Sequence, residues 1–403
     1  MLIPLSLLIG CPRPDDSDPP GVAVDPACAA AGCLRSVEDL GRWDRGALEP
    51  FLLPGVSIDN GYRVFVVHYA TGDDAVTSTA TVTLPVDAAE EPAAGWPIVV
   101  NAHGTIGLDD PCQLSGTVSG SGLAGLFGAR GAIGVAPDYR GLGGPGFHPY
   151  LDTKTEGEAV LDAIRAASAL AELEGWPTRG TSAVTGLSQG GHAVFAAASQ
   201  HQRYAPELDV RAFGAAAPAS AWEEQWRPGV TVPGPHLATF ALLAWSWADQ
   251  AGADDAGVWA APLGTQIDGL VAERCAWSPT FTGEPLLGDA IATSPSDVFA
   301  PAFLDAFASG DWPPAFAFMR EGFARNRVGP FTSPAPIHVW QGTADEVVLP
   351  WMTEALVDDL VAGGMDVELT LVPGGTHTDT AFGFVAVPER ATDASIAWVK
   401  SRL

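Results

Sequence analysis

A serine inside a glycine-rich turn is the residue of this sequence best suited to nucleophilic chemistry. Residues 186–191 read Gly-Leu-Ser-Gln-Gly-Gly and match the pattern G-x-S-x-G. The turn follows an apolar segment at 183–186 and precedes a helix predicted at 192–199. A tight turn between a strand and a helix lifts the serine oxygen above the sheet, and the glycines remove Cβ atoms that would collide there. The pattern predicts Ser188 as a nucleophile.

A serine hydroxyl needs a base to remove its proton, and the base needs a partner that orients it. In α/β proteins that carry this serine turn, the acid and then the histidine follow the serine along the chain. Three of the eight histidines lie well beyond Ser188. His236 falls in a region without strands, His338 lies inside an apolar strand, and His377 lies in a glycine-rich loop after a strand. We predict His377 as the base.

The orienting acid is expected in the loop after the preceding strand. Residues 341–346 read Gln-Gly-Thr-Ala-Asp-Glu and follow an apolar segment at 337–340. Asp345 precedes His377 by 32 residues, which leaves room for one helix and one strand. A carboxylate at this place would fix the imidazole tautomer and stabilise the imidazolium. We predict Asp345 as the acid, with its neighbour Glu346 as the alternative.

An acyl-transfer site also needs N–H groups that stabilise the oxyanion of the tetrahedral intermediate. We predict the backbone N–H of Gln189 as the first donor, because it follows the nucleophile at a helix N-terminus. The second donor is expected in the loop after an early strand, where residues 101–105 read Asn-Ala-His-Gly-Thr. Thr105 N–H is the predicted second donor, and Gly104 is the alternative.

Other kinds of active site find no support in the sequence. The glycine-rich segment 141–146 contains Pro145, which would break the helix that a dinucleotide-binding pattern requires. Neither a P-loop nor metal-ligand spacing such as His-x-x-x-His occurs. We therefore predict no cofactor and no metal ion. His103, before the predicted oxyanion donors, and His192, after the serine turn, are interpreted as structural residues.

The surrounding elements predict an α/β protein with a mostly parallel, doubly wound sheet. An antiparallel hairpin over 62–70 and 76–84 comes first. The short strands that follow are apolar throughout, as required in a parallel sheet covered by helices on both faces. These strands are predicted at 98–100, 132–136, 183–186, 212–217, 337–340 and 367–372, and helices at 156–174, 192–199, 351–362 and 388–402.

Residues 221 to about 330 interrupt this alternation. They hold seven of the thirteen tryptophans and show no regular succession of strands and helices. We interpret this region as a mainly helical cap inserted between core strands. The predicted division of the chain is an N-terminal segment over 1–27 and one α/β domain over 28–403 that carries the cap.

The composition indicates a folded protein with an acidic surface. The chain has 403 residues, 47% of them hydrophobic, and its net charge at pH 7 is −28. This is ample apolar material for a large core, and it argues against a disordered chain. Nucleic-acid binding needs clustered Lys and Arg, so the charge excludes nucleic acid as an expected partner.

The first residues predict export. The apolar run at 2–9 has the length of a signal-peptide core and is too short to span a bilayer. Leu-Ile-Gly-Cys at 8–11 resembles a bacterial lipobox, in which the cysteine is lipidated, and a flexible acidic Pro-rich tether follows it. We expect an extracytoplasmic protein that is secreted or anchored to the cell envelope through a lipidated Cys11.

Four further cysteines fit an exported chain. An even number of cysteines in such a protein predicts two disulfide bonds. A bond between Cys28 and Cys33 would close a short loop, whereas one between Cys112 and Cys275 would join distant segments. Three pairings are open at this stage. A zinc site is disfavoured because the chain has no Cys-x-x-Cys pair.

Several motifs together resemble the secretory lipase family, which includes the fungal lipase A type and its bacterial relatives. The motifs are APDYRGLG at 136–143, HPYL at 148–151, EAVLDAIR at 158–165, GLSQGGH at 186–192 and QGTAD at 341–345. The resemblance extends roughly over residues 60–390 and is weakest through the cap. It implies an α/β-hydrolase fold with a helical lid and no cofactor.

The resemblance also implies a Ser-Asp-His triad, which falls on Ser188, Asp345 and His377. It further implies hydrolysis of carboxylic esters, often acylglycerols. We therefore expect an exported serine lipase or esterase that acts on a small-molecule ester through an acyl-enzyme intermediate. Acyl-chain length, alcohol moiety, interfacial activation and oligomeric state stay open.

Two alternatives remain. The first is a serine aminopeptidase of prolyl type with the same fold, which would need acidic groups in the cap to bind the substrate amine. The candidates for that role are Glu223, Glu224, Asp254 and Asp255. The second is a non-catalytic surface binding protein, against which the intact order of serine, acid and histidine argues.

Overall fold

The computed structural model describes residues 24–49, 57–89, 91–220, 223–234, 236–277, 285–333, 335–380 and 391–403. The predicted signal-peptide core, the lipobox with Cys11 and the first part of the tether lie outside these residues. Within the described parts, no helix combines the length and the apolar character needed to cross a membrane.

A nine-stranded sheet forms the centre of the molecule. Its strands are β1 (Leu34–Trp43), β2 (Gly61–Thr71), β3 (Val76–Val86), β4 (Trp96–Ala102), β5 (Ile133–Pro137), β6 (Thr178–Leu187), β7 (Asp209–Ala216), β8 (Ile337–Gly342) and β9 (Val367–Val372). Their order across the sheet is β1-β2-β3-β5-β4-β6-β7-β8-β9. The pairs among β1, β2, β3 and β5 are antiparallel, and all pairs from β5 to β9 are parallel.

The strand pattern confirms the predicted sheet and adds one strand to it. Every residue of β4, β5 and β8 is buried, which explains why these segments are mostly apolar, with Asn101, His338 and Gln341 as their polar members. The predicted hairpin is present as β2 and β3, in register from Gly61 opposite Val86 to Thr71 opposite Val76. Strand β1 was not predicted, because an edge strand has an open side and tolerates polar residues such as Glu38.

Twelve helices are described. They are α1 (Arg45–Leu48), α2 (Val118–Gly128), α3 (Thr153–Leu173), α4 (Gln189–Tyr204), α5 (Glu223–Val230), α6 (Leu237–Ala251), α7 (Ile267–Glu273), α8 (Pro295–Val298), α9 (Pro301–Ser309), α10 (Ala317–Asn326), α11 (Pro350–Ala362) and α12 (Ala391–Arg402). Helices α3, α4 and α11 cover one face of the sheet, and α2 and α12 cover the other. Helix α4 begins at Gln189, earlier than predicted, so the first turn after the serine is already helical.

Six helices, α5 to α10, lie between β7 and β8, in the region predicted as a cap. Their aromatic side chains form a hydrophobic cluster of their own, in which Phe303 packs against Phe307, Trp312 and Phe316. The tryptophans of this cluster therefore serve mainly in packing. The domain boundaries at 27 and 28 remain a prediction.

Two disulfide bonds join Cys28 to Cys33 and Cys112 to Cys275. The partners of the second bond are 163 residues apart, whereas those of the first are 5 apart. Closing a longer loop removes more entropy from the unfolded chain. The resulting stabilisation of the folded state is about 5 kcal/mol for the second bond and about 2 kcal/mol for the first.

We therefore expect replacement of both Cys112 and Cys275 by alanine to destabilise the protein more than replacement of Cys28 and Cys33. Urea unfolding without reductant measures both free energies. The pair Cys28→Ala and Cys33→Ala is the matched control, since it removes the same covalent bond from a short loop. Equal losses from the two double variants would contradict the loop-entropy explanation.

Candidate active site

Ser188 lies between β6 and α4 in a strained turn. Its backbone angles are φ 59° and ψ −116°, a region that residues with a Cβ atom rarely adopt. Its N–H donates to the Ala216 carbonyl at 2.9 Å, and its carbonyl accepts the N–H groups of His192 and Ala219 at 3.0 Å each. These hydrogen bonds from β7, α4 and the segment after β7 maintain the strain.

The two glycines of the pattern are required by close backbone contacts. A Cβ atom on Gly186 would lie 2.3 Å from the carbonyl oxygen of Gly190. A Cβ atom on Gly190 would lie 2.0 Å from the carbonyl oxygen of Ala102, at the end of β4. The serine turn therefore packs directly against the start of the loop that carries the predicted second oxyanion donor.

His377 and Asp345 are hydrogen-bonded, with Nδ1 of His377 2.8 Å from Oδ2 of Asp345. They lie in the loops after β9 and β8. The Asp345 carboxylate is buried, and its Oδ1 accepts the N–H groups of Val347 and Val348 at 2.8 and 2.9 Å. Its Oδ2 also accepts the side-chain amide of Gln341 at 3.1 Å. The carboxylate is thus fixed, and it holds a proton on Nδ1 of His377 while Nε2 is left as the acceptor.

The alternative acid Glu346 is exposed to solvent. In the part of the chain that the structure describes, no hydrogen bond joins Glu346 to His377. The structure therefore brings Asp345, and not its neighbour, to the histidine.

Ser188, Asp345 and His377 line one cavity of about 1000 Å³. Most of its surface is apolar and comes from the core loops, the cap and the start of α11. The large apolar side chains around it include those of Leu123, Leu187, Trp226, Phe240, Trp277, Val347, Trp351 and Met352. A pocket of this kind suits a ligand with a substantial apolar part.

The predicted oxyanion donors border Ser188. A Cβ atom on Gly104 would lie 3.7 Å from Cβ of Ser188, and both Gly104 and Thr105 line the cavity. The Thr105 hydroxyl is hydrogen-bonded to the hydroxyl of Tyr150 at 2.7 Å. Gln189 is the first residue of α4, where backbone N–H groups have no partner within the helix. The choice between Gly104 and Thr105 stays a prediction.

His103 fits its interpretation as a structural residue. It is buried, its Nδ1 donates to the Gly104 carbonyl at 2.7 Å, and its ring packs against Tyr139. Burial lowers the pKa of His103, which favours the neutral ring. The residue supports the backbone of the loop that precedes Thr105.

The interpretation of His192 as a packing residue is incomplete, because its ring contacts a carboxylate that was not predicted. Nδ1 of His192 lies 2.6 Å from Oε2 of Glu156, a fully buried residue of α3. Oε1 of Glu156 accepts the side-chain amide of Gln189 at 2.8 Å and the N–H of Leu151 at 3.0 Å. Nε2 of His148 lies 3.6 Å from the same oxygen.

A signal for Glu156 is present in the sequence. Ala159 and Val160 follow it at three- and four-residue spacing and belong to the apolar face of α3. An acidic residue on such a face has to find buried partners. Those partners cannot be read from the helix itself, since they lie on α4 and in the segment 148–151.

The Glu156 carboxyl is ionised in spite of its burial. Burial raises its pKa, but the charges and hydrogen bonds of His192 and His148 outweigh this effect and lower the pKa from 4.5 to about 2. The group therefore carries a negative charge at every pH near neutrality. It is a buried anion whose compensation comes from the two histidines.

Glu156 is expected to contribute to stability in a defined pH range. Its pKa is lower in the folded than in the unfolded chain, so the contribution is complete above pH 4.5 and disappears as the pH falls through about 2. The difference corresponds to roughly 3 kcal/mol. Between pH 5 and pH 2, the free energy of unfolding should fall by about this much more in the wild type than in Glu156→Gln. Urea titrations of both proteins test this, and parallel pH curves would refute it.

Residues 124–223 match the model of the secretory lipase family. This segment includes Glu156, Ser188 and Gln189, and covers about a quarter of the chain. The match confirms the resemblance predicted from the motifs, and it supports the expected class of enzyme, a carboxylic-ester hydrolase. No curated protein sequence matches the chain.

Solved structures of low sequence identity share the fold. A Legionella pneumophila protein is 19% identical with a TM-score of 0.74, and the alignment covers 91% of this chain and 97% of that one. The rice cell wall degrading esterase LipA from Xanthomonas oryzae is 20% identical with a TM-score of 0.72, covering 92% and 96%. Candida antarctica lipase A in its closed state is 18% identical with a TM-score of 0.59, covering 88% and 80%. These similarities confirm the predicted fold class, the α/β-hydrolase fold with a mostly parallel sheet.

Proposed function

We propose that this carboxylic-ester hydrolase is an exported serine lipase or esterase that works through Ser188, His377 and Asp345. One observation carries the proposal. The strained serine and the hydrogen-bonded pair of His377 and Asp345 come from three separate loops and line a single apolar cavity.

The first half of the reaction forms an acyl-enzyme. Nε2 of His377 takes the proton of the Ser188 hydroxyl as the serine oxygen attacks the ester carbonyl carbon. Asp345 stabilises the imidazolium that results. The carbonyl oxygen becomes an oxyanion, which accepts hydrogen bonds from the N–H groups of Gln189 and Thr105. The ester C–O bond then breaks, and His377 protonates the departing alcohol.

The second half regenerates the enzyme. His377 takes a proton from a water molecule, whose oxygen attacks the acyl carbon. The second tetrahedral intermediate uses the same oxyanion donors. Its collapse breaks the bond to Ser188, which recovers its proton from His377, and the carboxylic acid leaves. Every step uses groups of the chain itself, so the proposed mechanism needs no cofactor.

The cavity supports an ester with an apolar acyl or alcohol part as the substrate. Its volume of about 1000 Å³ lies at the upper end of the range for small-molecule pockets. Trp277, Val347 and Trp351 line it and are partly exposed to solvent, so the opening is largely apolar, although the exposed Glu346 lines it too. An apolar opening admits a hydrophobic chain without a desolvation penalty for charged groups.

The cap acids that an aminopeptidase would use are not among the residues lining this cavity. Glu223 accepts hydrogen bonds from Arg227 and Trp312, and Asp255 accepts one from Trp259. These carboxylates serve in the packing of the cap. This arrangement favours ester hydrolysis over aminopeptidase activity.

Export rests on the signal-like apolar core, the lipobox and the two disulfide bonds. Disulfide bonds form and persist in oxidising compartments outside the cytosol. We propose that Cys11 is lipidated and holds the enzyme at the cell envelope. Incorporation of a labelled fatty acid into the full chain, and its loss in Cys11→Ser, tests the anchor.

Hydrolysis of p-nitrophenyl esters from acetate to palmitate tests the proposed activity. We expect turnover by the wild type and none by Ser188→Ala. A maximum at long acyl chains would identify a lipase, and a maximum at short chains an esterase. A wild type that hydrolyses no ester of the series would contradict the proposal.

A further inference from the structure

A buried polar cluster, formed by Glu156, His192, Gln189 and His148, lies behind the proposed oxyanion hole. All four side chains are inaccessible to solvent or nearly so, and none of them takes part in the proton transfers described above. Glu156 is in the centre, since its carboxylate contacts each of the other three. An ionised group in such a position needs a reason to be there, because apolar packing would stabilise the fold as well.

The first group of contacts in the cluster fixes the start of α4. Glu156 receives hydrogen bonds from the side chains of Gln189 and His192, at 2.8 and 2.6 Å. Both residues lie in the first turn of α4, whose free N–H groups face the nucleophile. Because Glu156 lies on α3, its carboxylate ties the turn that carries the Gln189 donor to a second, long helix.

The second group of contacts fixes the segment 148–151. Glu156 accepts the N–H of Leu151 at 3.0 Å, and Leu151 has a positive φ of 52° that this hydrogen bond helps to maintain. Nε2 of His148 lies 2.5 Å from the amide nitrogen of Gln189. The carboxylate therefore fixes the backbone on one side of Tyr150, and the Gln189 amide fixes the side chain of His148 on the other.

The segment 148–151 in turn holds the loop that carries the second donor. The Tyr150 hydroxyl is bonded to the Thr105 hydroxyl at 2.7 Å. The N–H of His148 donates to the carbonyl of Leu108 at 2.7 Å, at the other end of that loop. A chain of contacts thus leads from Glu156 to both sides of the space in which the oxyanion forms.

Most hydrogen-bond donors and acceptors of the cluster are matched, and the exception among the described residues is the side-chain oxygen of Gln189, which is buried without a partner. The Thr153 hydroxyl donates to the Asn326 carbonyl at 2.8 Å and lies 3.3 Å from Nε2 of His192. Nδ1 of His148 donates to the Arg140 carbonyl at 3.0 Å, and its Nε2 lies beside both the Gln189 amide and the Glu156 carboxylate.

We propose that Glu156 is the positioning residue of the oxyanion hole, acting on Gln189 through the first turn of α4 and on Thr105 through Tyr150. This inference rests on the proposed function. Glu156 is not among the residues lining the cavity and does not contact substrate. Its effect is therefore expected in the transition state, where the oxyanion exists, and not in the binding of the ester.

The test is Glu156→Gln, which keeps the shape of the side chain and removes its charge. Complete loss of one oxyanion donor lowers kcat by roughly 10²–10³-fold, so displaced donors should lower kcat by about 10- to 100-fold. KM should stay within about twofold, since the lost interaction is made only in the transition state. The inhibition constant of a trifluoromethyl ketone, which forms a hemiketal oxyanion with the serine, should rise by a factor similar to the fall in kcat.

Glu158→Gln is the matched control. Glu158 lies two residues further along α3, is also buried, and contacts Lys154 outside the cluster. We expect its kcat to equal that of the wild type. Thermal unfolding and near-ultraviolet circular dichroism of all variants show whether they are folded.

A folded Glu156→Gln with kcat within threefold of the wild type would overturn the inference, as would a lower melting temperature with unchanged kcat. If Glu156→Gln fails to fold, the variant Tyr150→Phe tests the inference instead, because it removes only the hydroxyl that is hydrogen-bonded to Thr105. A fall of about tenfold in kcat at constant KM supports the positioning chain, and an unchanged kcat refutes it. If instead the wild type and Glu158→Gln neither hydrolyse esters nor react with a phosphonate, the proposed function itself fails.

Discussion

Replacement of Ser188 by alanine should lower kcat for ester hydrolysis by roughly 10⁵-fold or more. The variant loses the oxygen that forms the acyl-enzyme in the proposed mechanism, while the cavity, the histidine and the proposed oxyanion donors remain. Initial rates on a p-nitrophenyl ester measure the loss. Labelling with an alkyl phosphonate gives an independent readout, with one label per chain in the wild type and none in the variant.

Two further variants test whether the loss of activity is due to the Ser188 oxygen. Ser199→Ala, on the same helix and away from the cavity, should keep full activity and full labelling. Ser188→Gly should be as inactive as Ser188→Ala but more stable by about 1 kcal/mol, because glycine adopts the positive φ of 59° without strain. Residual activity above about 1% in both position-188 variants would point to a different nucleophile.

Replacement of Asp345 by asparagine should lower kcat by roughly 10³–10⁴-fold. The backbone N–H groups of Val347 and Val348 both donate to Oδ1, so the single amide oxygen of asparagine would take that position. Its NH₂ group would then face Nδ1 of His377 and could donate only to a nitrogen without a proton. The ring would be held in the tautomer that carries its proton on Nε2, which cannot accept the serine proton.

Glu346→Gln is the control for this variant, since it makes the same chemical change in the adjacent, exposed residue. Its kcat should remain within about twofold of the wild type. Steady-state kinetics at a fixed pH, with circular dichroism to show that both variants are folded, provide the comparison. A larger loss in Glu346→Gln than in Asp345→Asn would transfer the role of the acid to Glu346.

Features that depend on contiguous residues could be predicted from the sequence. The serine turn is such a feature, because Gly186 lets the carbonyl oxygen of Gly190 approach closely inside the same turn. The parallel strands are another, since burial on both faces leaves mostly apolar residues in β4, β5 and β8. The positions of Asp345 and His377 are a third, because each residue lies in the loop after a parallel strand, and such loops meet at the same edge of the sheet.

The edge strand β1 and the interior of the site could not be predicted in the same way. β1 is held by its pairing with β2, and its polar residues give no periodic signal of their own. His192 looked like a packing residue because a helix pattern shows that a side chain is buried but not what it meets. Its partner Glu156 lies 36 residues away, on the neighbouring helix.

The sequence by itself determined the type of fold and the candidate nucleophile, base and acid, because short segments with strict local requirements encode them. Only the tertiary structure decided which cysteines pair, that Asp345 rather than Glu346 contacts His377, and that Glu156 contacts both the start of α4 and the segment 148–151. The physical reason is that these contacts depend on how whole elements pack. The partners of a side chain in a loop or on a helix face depend on the distance and rotation of other elements. A local sequence pattern contains no information on that packing.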